Sequence, residues 1–89
     1  MSGEEQQIPQ PSFSMFISSL SMQALIFLGE IENPMTHKTE KNLDQARYII
    51  DTISLLKDKT KGNLDGEEER ILSEVLYDLR MAYVQAAKK

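Results

Sequence analysis

Hydrophobic residues recur along this chain at intervals of three and four positions, in three separate stretches. Such spacing places them on one side of an α-helix, and no stretch shows the alternation of apolar and polar residues that is typical of a half-buried strand. The pattern predicts helices over residues 12–28, 43–61 and 66–87. The apolar positions of the three predicted stripes are Phe13, Phe16, Ile17, Leu20, Ala24, Phe27 and Leu28; Leu43, Ala46, Ile49, Ile50, Ile53 and Leu56; and Ile71, Leu72, Val75, Leu76, Leu79, Ala82, Tyr83 and Ala86.

Candidate capping residues mark both ends of these predicted helices. At a helix start, a side-chain oxygen can accept a hydrogen bond from a free backbone N–H, and a Glu or Gln three positions later can complete a capping box. The candidates are Ser12, Asn42 with Gln45, and Asp65 with Glu68. Gly29 and Gly62 can adopt the left-handed conformation that ends a helix. The predicted fold is therefore all-α, a three-helix bundle.

The segments outside the predicted helices are polar. Residues 1–11 hold two acids, two prolines and little to bury, so we expect a flexible tail ahead of a single helical domain over residues 12–89. Pro34 favours an extended Asn33, which predicts a turn in the connector over residues 30–41. A chain of 89 residues has room for one modest core.

Each predicted helix also carries apolar residues away from its main stripe. On the first helix they lie among serines, in a stretch without any charge, where a monomeric bundle would present charged residues. We therefore predict that the bundle is completed as a homo-oligomer, with a dimer favoured; a monomer that exposes scattered Met and Tyr is the alternative. The candidate self-interface or partner interface comprises Met15, Met22, Gln23, Leu25, Ile26, Tyr48, Leu55, Tyr77, Met81 and Val84.

Gln23 is the polar member of this set. It lies near the apolar stripe of an uncharged helix, and a buried amide needs hydrogen-bond partners. One hypothesis is that Gln23 pairs with its copy across the axis of the oligomer and fixes the register of the helices, as single buried polar residues do in coiled coils.

Composition narrows the classes of function. The chain has 10 Lys and Arg against 14 Asp and Glu, a formal net charge of −4 and no cysteine. The acidic balance argues against nucleic acids and anionic membranes as partners, and the lack of cysteine excludes disulfides and thiolate zinc sites. His37 is the single histidine, so neither a zinc site nor a catalytic triad can be proposed. We expect a cytoplasmic protein without enzyme activity, cofactor or metal.

Two patterns resemble known binding motifs and are better explained by helix capping. Residues 58–69 begin with Asp and end with Glu, as an EF-hand calcium loop does. However, the third and fifth positions are Thr60 and Gly62, and the sixth is Asn63 rather than glycine. A helix-turn-helix arrangement would bring the acidic residues 67–69 against DNA phosphates, which would repel them. Neither calcium nor DNA binding is predicted.

A set of short segments spread along the chain is distinctive when taken together. The segments are Gln23-Ala24-Leu25, Leu28–Ile31, Asn33-Pro34, Ile50-Asp51, Lys59–Leu64, Leu79-Arg80 and Tyr83-Val84. In this order they resemble a family of short bacterial proteins known as domain of unknown function 1844, from about Ser12 to Val84. The resemblance implies a bacterial origin and a small helical domain, and it implies no activity or catalytic residue.

These observations predict a small cytosolic module that self-associates and presents a surface bearing Met and Tyr to an unidentified protein partner. The alternative is a helical bundle that holds a hydrophobic small ligand between helices of the oligomer, in an apolar cavity lined by Met15, Phe16 and Met22.

Overall fold

The computed structural model describes Ile8 and residues 10–88, and it contains three α-helices. Helix α1 is Phe13–Phe27, α2 is Leu43–Lys59 and α3 is Gly66–Ala87. Each helix packs against the other two. The predicted all-α, three-helix architecture is confirmed, and each observed helix end lies within two residues of the predicted one. Residues 1–7 and Pro9 of the predicted tail, and Lys89 at the other end, lie outside the described residues.

The three predicted N-caps all receive a backbone hydrogen bond. The side chain of Ser12 accepts from the N–H three residues later at 3.0 Å, and Asn42 Oδ1 accepts from the N–H of Gln45 at 3.1 Å. Asp65 accepts from the N–H of Glu68 at 2.8 Å, and Glu68 accepts from the N–H of Asp65 at 3.0 Å. The start of α3 is thus a complete capping box, which fixes where this helix begins.

A glycine with positive φ follows each of the first two helices. Gly29 has φ 81°; its N–H donates to the carbonyl of Ile26 at 3.1 Å, and the next N–H donates to the carbonyl of Leu25 at 3.0 Å. This pair of bonds is a Schellman motif. Gly62 has φ 86° and lies between α2 and the N-cap of α3. The stretch that resembles a calcium loop is therefore a helix end followed by a helix start.

The connector between α1 and α2 folds back on itself around the predicted turn. Asn33 pairs with Lys38 in an isolated antiparallel bridge, and the Asn33 side chain accepts from the N–H of Met35 at 2.8 Å. His37 is exposed in this turn with φ 59°. At the base of the connector, Lys41 Nζ donates to the carbonyl of Ala86 at 3.2 Å, which ties the connector to the end of α3.

Residues from all three helices form the buried core. The buried residues are Ile17, Ala24, Leu28, Ala46, Ile49, Ile50, Ile53, Leu72, Leu76, Leu79 and Ala86, all of which belong to the predicted stripes. One stripe assignment was wrong: Phe16 is 51% exposed. Successive residues of an α-helix are about 100° apart, so Phe16 lies about a quarter-turn from Ile17 and reaches the open side of α1.

Candidate interaction surface

The outer side of α1 is exposed among the residues that the structure describes. Six exposed residues form it, and we call them the α1 face: Met15, Phe16, Ser18, Ser19, Met22 and Gln23. No Asp, Glu, Lys or Arg occurs anywhere in α1. Helical geometry places these six residues on one continuous side, opposite the buried Ile17 and Ala24.

Three large apolar side chains of the α1 face are about half exposed. The exposed fractions are 57% for Met15, 51% for Phe16 and 51% for Met22. Single exposed apolar residues are ordinary on protein surfaces, whereas a continuous patch without charge is typical of an interaction site. The sequence pattern assigned Phe16 to the core. Phe16 precedes the polar residues Ser19 and Gln23 by three and seven positions, a spacing that places it with them on the outer side of the helix.

The other predicted interface residues of α1 lie in different environments. Gln23 is exposed, so water can satisfy its amide in the single chain. Leu25 packs partly buried against the core cluster, and the prediction that it lies away from the main stripe was wrong. Leu25 is about 80° from Ile17 on the helix, close enough to reach the core. Ile26 is half-buried at the end of the α1 face.

The predicted second faces of α2 and α3 also point outward. Their residues are exposed: Tyr48, Leu55, Tyr77, Met81 and Val84. Unlike the α1 face, the outer sides of α2 and α3 also carry charged residues. Asp44 and Asp51 lie one turn from Tyr48, and Glu74 lies close to Tyr77 in sequence. Charged residues therefore flank the outward apolar residues of α2 and α3, whereas the α1 face holds no charge.

Helices α2 and α3 enclose an open groove that sequence patterns did not predict. Its volume is about 400 Å³, and Ile50, Tyr83 and Val84 form its apolar floor, with Arg47, Asp51 and Arg80 at its edges. The residues come from two helices that are distant in sequence, so no local spacing indicates the groove. Another depression at the loop end of these helices is lined by charges of both signs, including Lys57, Asp58 and Glu69.

The apolar ligand cavity is predicted between helices of an oligomer, so the single chain does not test it. Met15 and Phe16 line a shallow depression together with Gln10 and Pro11, and Met22 is not part of it. The depression is open to solvent, whereas a ligand pocket surrounds most of its occupant. The described residues thus present surfaces for contact and no enclosed pocket around these three side chains.

Arg70, in the first turns of α3, forms ion pairs with two glutamates of the same helix. Its guanidinium donates to Glu74 Oε2 at 3.0 Å and to Glu67 Oε2 at 2.7 Å. The hydrogen bond to Glu74 and then that to Glu67 raise the pKa of Arg70 above its ordinary value. Both partners are one turn away on the same helix, so the charge of Arg70 is neutralised within α3.

Two features are absent from the part of the chain that the structure describes. Among these residues, no group of three His, Asp or Glu side chains could hold a metal ion. None of the three helices is long and apolar enough to cross a lipid bilayer.

The fold and its surfaces define a small all-α protein with an uncharged helix face. Residues 10–85 match the family model described as Domain of unknown function (DUF1844), and the chain belongs to that family. The predicted resemblance is confirmed. No curated protein and no solved structure matches the chain.

Proposed function

We propose that this protein is a cytoplasmic interaction module without catalytic activity, and that it forms a homodimer through the α1 face. The observation that carries the proposal is the absence of charge over the whole exposed side of α1, where Met15, Phe16 and Met22 lie in water in the single chain. Burying these side chains against a second copy removes apolar area from water, at about 25 cal/mol per Å².

The distribution of charge supports a second copy as the partner of the α1 face. Each chain has a formal net charge of −4, so two copies repel at most orientations. In a two-fold dimer each surface patch meets the same patch of its partner. A patch without charge opposes no like charges in any register, and among the exposed helix faces the α1 face meets this condition.

The α1 face is centred on Ser19, which supports a two-fold axis at that position. In an antiparallel pair around this axis, Ser19 faces its copy, Phe16 lies opposite Met22, and Met15 lies opposite Gln23. The Phe16–Met22 pairs bring sulfur and aromatic rings together, a favourable contact. In this arrangement Gln23 faces Met15 rather than its own copy, so Gln23 does not fix the register by pairing with itself.

The ends of α1 favour the antiparallel over the parallel arrangement. Glu30 is exposed just beyond the C-terminal end of α1. A parallel pair would bring the two Glu30 carboxylates to the same end. An antiparallel pair directs each Glu30 toward the positive N-terminal end of the partner helix, whose first turn holds no acid.

Light scattering over a concentration series tests the self-association. We expect a molar mass near twice the 10.2 kDa of the chain, falling toward 10.2 kDa on dilution. A mass of 10.2 kDa at all concentrations would refute the proposed dimer.

Cross-linking at Ser19 tests the antiparallel geometry. Packed helix axes lie about 8–10 Å apart, which places facing Cα atoms about 4–5 Å apart, and disulfides span Cα distances of about 4.4–6.8 Å. The natural chain has no cysteine, so Ser19→Cys introduces a single thiol. We expect mild oxidation to convert this variant into a covalent dimer, as seen on a non-reducing gel.

Ser18→Cys is the matched control for this experiment. Ser18 is also exposed, but it is turned about 100° from Ser19 and lies at the edge of the α1 face. We expect it to cross-link far more slowly. Equal rates for the two variants, with light scattering still showing a dimer, would reject the axis at Ser19 and leave self-association intact.

A further inference from the structure

We infer that the groove between α2 and α3 binds a segment of a partner protein in which an apolar side chain is next to a carboxylate. The inference concerns another surface than the proposed dimer, since none of the groove residues belongs to α1.

The floor of the groove is suited to one large apolar side chain. Ile50 is buried at its base, Tyr83 is half-buried, and Val84 is 47% exposed. The groove is open along one side, so a free small molecule would keep much of its surface in water. A polypeptide segment gains additional contacts on the neighbouring helix surfaces, and apolar anchors of this kind dominate many protein interfaces.

The edge of the groove carries one positive charge in excess. Arg47 Nε lies 3.9 Å from Asp51 Oδ2, so these two charges offset each other. Arg80 donates to Ser54 Oγ at 3.2 Å, which is a neutral acceptor, and it forms no ion pair with any described residue.

Arg80 therefore has donors left for an incoming acid. A guanidinium carries five N–H donors in a planar fork and binds a carboxylate through two parallel hydrogen bonds. One carboxylate next to the apolar anchor matches the single excess charge. A basic segment would instead be repelled by the positive charge of Arg80.

The surface beside Arg80 has the composition of a protein interface. Tyr77 and Val84 lie three positions before and four after Arg80, on the same side of α3, and Met81 is adjacent. These side chains are exposed at 66%, 47% and 48%, respectively. Tyr, Met and Arg are enriched in protein–protein interfaces relative to other surfaces, which favours a protein segment over a small organic anion.

Selection from a random peptide display library, with the full-length chain as the target, tests the inference. We expect recovered peptides to be enriched in Asp or Glu beside Leu, Met or Phe. Synthetic copies, labelled with a fluorophore, should bind the chain in an anisotropy titration. Arg80→Gln should weaken binding about tenfold, because it removes the charge-assisted bonds at the edge of the groove.

Arg70→Gln is the matched control, because it removes the same charge from the same helix. Arg70 is already engaged by Glu67 and Glu74, so we expect little change in peptide affinity. Val84→Lys is a second test, since it obstructs the floor from an exposed position that tolerates a polar side chain. Circular dichroism of each variant verifies that the helices remain folded.

Three results would overturn the inference. The library could yield no enriched acidic–apolar motif. The recovered peptides could bind Arg80→Gln and Val84→Lys as tightly as the natural chain. They could also lose affinity for Met22→Glu rather than for the groove variants, which would locate the peptide site on the α1 face. None of these results bears on the dimer itself, which light scattering measures.

Discussion

Replacing Met22 by glutamate is expected to convert the proposed dimer into a monomer. Two-fold symmetry places each substitution in the interface twice, so Met22→Glu introduces two carboxylates opposite Phe16 of the partner copy. An unpaired charge that becomes buried costs several kcal/mol, and no cation lies within the α1 face to compensate. We expect the dissociation constant to rise at least about a hundredfold, equivalent to about 2.7 kcal/mol. Light scattering or sedimentation equilibrium measures this change.

Tyr48→Glu is the control that separates a specific effect from a general increase in negative charge. Tyr48 is 70% exposed on α2, and the substitution adds the same charge outside the α1 face. We expect Tyr48→Glu to remain dimeric. Met22 is half exposed in the single chain, so Met22→Glu should keep its helical circular dichroism. A dimeric Met22→Glu, or a monomeric Tyr48→Glu, would show that the α1 face is not the interface.

The helices could be predicted from sequence because local rules determine them. Ser12, Asn42 and Asp65 have side chains suited to capping, and Gly29 and Gly62 adopt positive φ where few other residues do so without strain. The apolar stripes of α2 and α3 were likewise correct at every buried position. Charged residues separate their inner from their outer sides, which makes the helical period easy to recognise.

The orientation of α1 was harder to predict because this helix has no charge. Without charged residues on one side, apolar residues on both sides satisfy the same spacing rule. Phe16 is therefore assigned inward although it is exposed, and Leu25 outward although it packs partly buried against the core. The same absence of charge that obscured the orientation is the property on which the proposed dimer depends. The groove at Arg80 lay beyond local pattern analysis, since it requires the packing of Ile50 on α2 against Tyr83 on α3.

Truncation of Ile53 to alanine is expected to destabilise the fold by about 3 kcal/mol. Ile53 is fully buried near the middle of α2 and belongs to the core cluster shared by all three helices. Removing a buried isoleucine side chain to this extent typically costs about 2–5 kcal/mol, through lost transfer free energy and the cavity that remains. A domain of this size has only about 5–10 kcal/mol of stability, so the loss is a large fraction. Urea unfolding followed by circular dichroism measures it.

Leu55→Ala is the matched control, two positions along the same helix. Leu55 is 55% exposed, so we expect its truncation to cost less than about 1 kcal/mol. Both variants are to be compared at one protein concentration. If only folded chains dimerise, the measured stability increases with protein concentration. Equal losses for Ile53→Ala and Leu55→Ala would mean that Leu55 is buried in the assembled protein. The self-interface would then extend beyond the α1 face to α2.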